Sequence, residues 1–182
     1  MVQIISKFLV LGAIMLGVSA ISLPKRTVSQ VETDIATIHT QVTSLDTSIN
    51  AFPNSGGSLN AALAINTASR NLATAINTAT TDTKAVTAPV AEGDAKTIIA
   101  AVKGFTPTIV DALTNIISKK PSFDALIVAD SLVKQDLTSL NTATTAFENA
   151  LLALAPADLK SEASTLISQI NAAFTKANAA YA

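Results

Sequence analysis

The sequence predicts an all-α fold: an antiparallel bundle of four to five amphipathic helices, with room for an internal apolar cavity. Three observations carry this. From Val28 to Ile49 the apolar residues recur at alternating intervals of three and four, the seam of a helix packed on other helices. Similar stripes continue almost to Ala182, and no convincing period-two segment interrupts them. Between the stripes stand mostly Ala, Thr, Ser, Asn and Asp, so many inward positions are small.

The first helix is expected over 27–51, with Val28, Val31, Ile35, Ile38, Val42, Leu45 and Ile49 on its seam. Phe52-Pro53-Asn54-Ser55-Gly56-Gly57 ends it. Ser58 caps a second helix over 59–82, carrying Leu59, Leu63, Ile65, Leu72 and Ile76. Its inward face also includes Asn66, Ser69, Ala73 and Thr80, an unusually polar and small set. Pro89 and Gly93 mark 83–93 as a loop. Asp94 caps a third helix with the stripe Ile98, Val102, Phe105, Ile109, Leu113 and Ile116. Pro107 lies within that stripe and predicts a kink or a break, since proline removes a backbone donor and crowds the preceding turn. Lys119-Lys120-Pro121 closes the helix, with cations where its dipole favours them.

Ser122 caps the fourth and longest helix, 123–154, which at 1.5 Å per residue would reach about 48 Å. Its stripe runs through Leu126, Ala129, Val133, Leu137, Leu140, Thr144, Phe147, Leu151 and Leu154, and Pro156 breaks it. The fifth helix, 157–180, places Leu159, Ala163, Leu166, Ile170, Phe174 and Ala177 on one face, with Tyr181 following.

Residues 1–20 read as a secretory signal peptide. Lys7 supplies the positive end, Phe8 to Val18 the apolar stretch, and Val18-Ser19-Ala20 the small residues at the cleavage site. The apolar stretch is too short for a comfortable membrane span of roughly 20 residues, so no transmembrane segment is expected; an uncleaved anchor is the other reading. Lys25-Arg26 has the form of a dibasic processing site, making 21–26 a short propeptide; the alternative is an ordinary basic pair on the terminus. Residues 27–182 then form a single helical-bundle domain.

Composition narrows the function. Charged residues make up only 14% of the chain, about half the usual share, and hydrophobic ones 49%. Loss of Lys7, Lys25 and Arg26 with the leader reduces twelve basic residues to nine against 13 acidic ones, a net charge of −4. That balance, with no basic patch and no cluster of stacking aromatics, argues against nucleic acid and against anionic membrane surfaces. Cysteine is absent, so a secreted chain of this kind holds itself by packing alone.

No catalytic residue, metal ligand or cofactor is assigned. His39 is the only histidine, sits off the main stripe and reads as a solvated surface residue. No second His or any Cys could complete a zinc site. No Gly-x-Ser-x-Gly elbow and no phosphate-binding glycine loop occurs. The carboxylates Glu32, Asp34, Asp46, Asp111, Asp124, Asp130, Asp136, Glu148, Asp158 and Glu162 are scattered and read as solvated helix surface.

The phenylalanines admit two readings: routine core filling, or the lining of an internal apolar tunnel. Small inward residues and the Gly-Phe-Thr-Pro interruption favour the tunnel. Its lining would be Phe105, Ile109, Leu113, Phe123, Leu140, Phe147 and Phe174, with Ser69 and Thr144 as hydroxyls for a polar head group. A hydroxyl in a seam can equally bond its own helix carbonyl.

The stretch Thr106-Pro107-Thr108-Ile109-Val110-Asp111-Ala112-Leu113 and the following Ile116-Ile117-Ser118-Lys119-Lys120-Pro121-Ser122-Phe123 resemble the fungal hydrophobic surface-binding protein A family, which includes the cell-wall galactomannoproteins. Leu137-Thr138-Ser139-Leu140 with Thr144, Phe147, Ala150 and Leu151 fits as well, as do the leader, the Lys-Arg pair and Tyr181. The resemblance spans essentially the whole mature chain. It implies a secreted or wall-associated helical protein without enzymatic activity, adsorbing to hydrophobic surfaces or binding fatty acids inside the bundle. The chain ends at Tyr181-Ala182 without an apolar tail, so a freely secreted, non-covalently wall-associated domain without a lipid-anchor signal is expected. The leading functional expectation is capture of a long-chain fatty acid or similar lipid. The alternatives are a surface-active protein that coats hydrophobic solids and recruits secreted hydrolases, and a structural cell-wall mannoprotein.

Overall fold

In the computed structural model, which describes residues 27–126 and 128–182, six helices follow in order: α1 (Val28–Ala51), α2 (Leu59–Lys84), α3 (Glu92–Ser118), α4 (Lys120–Asp124), α5 (Ala129–Leu154) and α6 (Lys160–Ala180). The expected signal peptide (1–20) and dibasic propeptide (21–26) lie outside the described residues.

The α1 seam packs as its spacing requires. Val31, Ile35, Ile38, Val42, Leu45 and Ile49 are all buried. The many threonines, unfavourable in helices for their branched Cβ, return their hydroxyls to the backbone one turn earlier. On α1, Thr33, Thr37, Thr40, Thr43 and Thr47 each donate to the carbonyl four residues back. Thr27 and Ser58 cap α1 and α2 by accepting from Gln30 N and Ala61 N.

Several expectations change: α2 runs on to Lys84 rather than 82, and the last helix starts at Lys160 rather than 157. α3 starts at Glu92 rather than at Asp94, with Ala91 as a cap that offers no side chain. The loop before it is held instead by Val90 N donating to Leu154 O at 3.0 Å. Pro107 lies inside α3, and the helix continues through it to Ser118. Pro107 and Lys103, whose carbonyl would have received the missing N–H, are both exposed, so solvent can satisfy that carbonyl. The long fourth helix divides into α4 and α5, and Ser122 is buried within α4 rather than capping it. The cause is Phe123, fully buried and stacked on Phe52 with ring centroids 4.3 Å apart. A straight helix from 123 would carry it past that partner. Lys120 spans the resulting turn, donating to Asp124 Oδ1 at 2.7 Å and Asp130 Oδ1 at 2.8 Å.

Packing closes the five long helices into a ring. The principal contacts pair α1 with α2, α2 with α5, α5 with α6, α6 with α3, and α3 with α1. Helices consecutive in sequence alternate in direction, as expected of short connections. The ring nonetheless places parallel neighbours side by side. Asn115 Nδ2 donates to Asp46 Oδ1 and Lys119 Nζ to Asn50 O, aligning the C-terminal ends of α1 and α3. Lys103, near the middle of α3, pairs with Glu162 at the start of α6, and Tyr181 Oη, just past the end of α6, donates to Ile116 O near the end of α3. Asn66 bonds Asp136 near the starts of α2 and α5. With neighbouring axes about 10 Å apart, five helices stand about 8.5 Å from a common axis, against about 7 Å for four. The fifth helix therefore widens the interior that side chains must fill.

One end is plugged by Phe52, Phe123 and Tyr181, all essentially buried. Gly57 lies so close to the Phe52 ring that a Cβ there would clash with it. Because Phe52 is itself stacked on Phe123, the ring has nowhere to move. Gly57→Ala is expected to lower unfolding free energy by about 1–3 kcal/mol in urea melts, the usual cost of overpacking.

Candidate functional site

The interior of the ring holds three small voids in a line. The middle one, about 80 Å³, is bordered by α1, α2, α3, α5 and α6 through Ile38, Val42, Leu45, Leu72, Ile76, Phe105, Ile109, Leu113, Leu140, Phe147 and Phe174, among others. Toward the plugged end it shares Leu45, Ala112, Leu113 and Leu140 with a void of about 50 Å³ lined also by Ile65, Ser69, Val133 and Asp136. Toward the other end it shares Val102, Glu148, Leu151 and Ile170 with a void of about 50 Å³ lined by Ile98, Ile99, Leu154 and Leu166. Shared walls connect the three into one interrupted channel, which runs between α1, α2, α3 and α5 toward the plug and between α3, α5 and α6 at the other end.

Six of the seven apolar residues singled out in the sequence meet at the middle void: Phe105, Ile109, Leu113, Leu140, Phe147 and Phe174. Thr144 lines it with them, on the wall made by α5. Phe123 lines none of the three and belongs to the end plug. Ser69 lines the void nearest the plug and is separated from Thr144. The two hydroxyls are therefore not brought to one place. His39 is exposed, and its ring stacks on Phe105 at 5.3 Å, covering the outer side of that residue.

Two carboxylates depart from the solvated surface on which sequence reasoning placed them. Asp136 and Glu148 are 9% and 6% exposed. Asp136 accepts from Asn66 Nδ2 through both oxygens at 2.9 Å. Burial nevertheless raises its pKa to about 6, against the opposing pull of Asn66 and the Arg70 charge. Glu148 accepts from Asn171 Nδ2 through Oε2 at 3.2 Å, while its Oε1 has no hydrogen-bond partner. Burial raises its pKa to about 7, and the Asn171 bond only partly offsets that. The signal for both was present in the spacing. Asp136 stands three after Val133 and four before Leu140; Glu148 stands four after Thr144 and three before Leu151.

Among the described residues, no three His, Cys, Asp or Glu side chains gather as a metal site. The channel is lined mainly by aliphatic and aromatic residues, with Glu148 bordering the middle void and the one away from the plug, and Asp136 bordering the one nearest it.

Each void is smaller than the ~150 Å³ cavity known to admit benzene. A long acyl chain can enter only if the helices move apart. Small buried residues, among them Ala79, Ala112, Ala143 and Ala177, bring little side-chain bulk to the core.

Comparison with known proteins places this channel in context. Residues 28–153 match the family model described as Hydrophobic surface binding protein A. A search of curated proteins finds no match. Among solved structures, the crystal structure of AFMP4P in complex with palmitic acid superposes with a TM-score of 0.80 at 32% identity, covering 86% of this chain and 100% of that one. Ligand binding domain 1 of the Penicillium marneffei MP1 protein, complexed with arachidonic acids, gives 0.76 at 18% identity over 86% and 99% of the two chains. Ligand binding domain 2 of the same protein, in complex with arachidonic acids, gives 0.77 at 19% over 87% and 96%. At those lower identities the likeness is one of fold.

Proposed function

Because the chain belongs to the hydrophobic surface binding protein A family, we propose that it captures a long-chain fatty acid or similar lipid inside its five-helix ring. The succession of apolar voids with shared walls inside the bundle is the observation that carries this reading. Burying a sixteen-carbon chain gains about 10 kcal/mol before the costs of ordering the ligand and separating the helices. Those costs are substantial here, because the voids must widen and merge. Chain length, rather than a pattern of polar contacts, then governs which lipids bind.

In this reading Phe105, Ile109, Leu113, Leu140, Phe147 and Phe174 line the acyl chain, with Thr144 beside them, and Phe123 and Ser69 act at or toward the plugged end. The protein works by binding and performs no catalysis. α3 is long and apolar enough to cross a membrane by length and composition. We read it as a core helix, since Ile98, Phe105, Leu113 and Ile116 are buried against its neighbours. Residues 27–182 act as one secreted, extracellular domain once the leader and propeptide are removed.

The test is a titration of delipidated protein with a fluorescent fatty acid, followed by displacement with palmitic acid. Saturable, displaceable binding is expected; its absence removes the reading.

A second reading draws on Leu59, Leu63 and Val128, the large apolar side chains left exposed among the described residues, which lie toward the plugged end on α2 and before α5. They give the bundle a place to meet a hydrophobic solid, where its helices could open and lie flat and a secreted hydrolase could be recruited. This predicts depletion of the protein from solution by hydrophobic beads. Retention in solution over such beads argues against it.

A further inference from the structure

Among the described residues, Glu148 is the sole ionisable side chain lining the middle void and the void away from the plug. It borders both, so the residue stands where the two meet. It is only 6% exposed, and its Oε1 is without a hydrogen-bond partner. A core of aliphatic residues could have been built without that unsatisfied oxygen, and keeping it costs stability.

The surroundings supply no compensating charge. α1, α2, α3 and α6 carry charged residues, but none of them lines either void. Lys103 of α3 and Glu162 of α6 face each other on the outer surface. Among the described residues, the polar group hydrogen-bonded to the carboxyl is Asn171 of α6, at Oε2. Oε1 is therefore a buried acceptor left without a partner, on a residue that lines both voids.

We propose that Glu148 is the head-group site: its Oε1 pairs with the carboxyl of a long-chain acid, the two carboxyl groups sharing one proton, while the acyl tail runs through the apolar voids. The assignment rests on the fatty-acid reading above. In the pair, the O–H of one carboxyl donates to an oxygen of the other, a short charge-assisted bond that an apolar site favours. Two ionised carboxylates there would repel, so the complex holds one negative charge and one proton. When both groups are ionised before binding, one proton is taken from solvent. The affinity for a fatty acid then falls by about tenfold per pH unit once free Glu148 is ionised. The protein would load its lipid at acidic to neutral pH and release it under alkaline conditions.

Calorimetric titration with palmitic acid at about pH 8, in buffers of different ionisation enthalpy, tests this. The wild type is expected to take up about one proton per palmitate bound, and Glu148→Gln about none, because the neutral amide can donate to the ionised ligand directly. Methyl palmitate, which has no acid group, is expected to bind without proton uptake in both. Equal proton uptake by wild type and Glu148→Gln overturns the head-group assignment and leaves lipid capture standing. No saturable palmitate binding by the wild type at any pH overturns lipid capture itself. If Glu148→Gln does not fold, palmitic acid labelled with ¹³C at its carboxyl decides on the wild type alone. A carboxyl resonance that titrates together with Glu148 supports the pair; one fixed at the ionised position from about pH 6 to about pH 9 overturns it.

Discussion

Ala112→Leu is expected to abolish high-affinity uptake of a long acyl chain while leaving the bundle folded. Ala112 lies on α3, is 7% exposed, and borders both the middle void and the one nearest the plug. A leucine there projects three further carbons into space that is already empty. Burial of that added surface contributes about 2 kcal/mol to stability. Overpacking strain of about 1–3 kcal/mol opposes it, so the net change is small. The ligand faces a different balance. It must open the same space against an additional side chain, and at least a tenfold loss of affinity is expected, equivalent to about 1.4 kcal/mol. Thermal melting together with palmitate displacement checks both halves. An unchanged affinity would move the chain out of the central channel.

The second large effect is on stability against pH. Glu148 and Asp136 hold their protons more tightly in the folded protein than in the unfolded chain, with pKa values of about 7 and about 6. Raised folded-state values mean that their stabilising contribution is complete below the ordinary carboxylate range, near pH 4, and is lost as pH rises through about 6 and about 7. The ligand-free protein is therefore expected to be more stable at about pH 5 than at about pH 8, Glu148 alone contributing on the order of 2 kcal/mol. Glu92 and Asp130 have lowered values and pull the other way, but through exposed ion pairs that salt screens. Glu148→Gln separates the contributions: it should match the wild type near pH 5 and exceed it near pH 8 in urea melts. A variant equally displaced from wild type at both pH values would show that Glu148 is ionised throughout.

These two residues also show where sequence reasoning reaches and where it stops. The α1 seam was legible because aliphatic residues at 3-4 spacing have no other use in a helix. Phe105, Ile109, Leu113, Leu140, Phe147 and Phe174 were legible as inward residues for the same reason, and they do converge. The order of helices around the ring was not legible, because every long helix offers a similar Ala-rich stripe and any pairing would satisfy it. The break between α4 and α5 depended on Phe123 reaching Phe52, a neighbour distant in sequence. Glu148 and Asp136 stand on the margins of stripes, where a helix edge faces solvent in a four-helix bundle and can face a neighbour in a ring of five. Their spacing set both beside an inward stripe, and the packing of five helices turns that edge toward a neighbour.

A ring of five helices with small buried residues also explains how one core can serve two states. Closed, it leaves only separate voids, too small for an acyl chain. Opened by sliding of the helices, it would join them into one space, and the ligand's own apolar surface would take the place of the helix-to-helix packing given up.

The most direct measurement of that claim is the set of nuclear Overhauser effects between the methylenes of bound palmitic acid and the protein. Effects to the rings of Phe105, Phe147 and Phe174 are predicted, because these line the middle of the channel on α3, α5 and α6. Effects confined to Leu59, Leu63 and Val128 would place the lipid on the outside of the bundle and contradict the account.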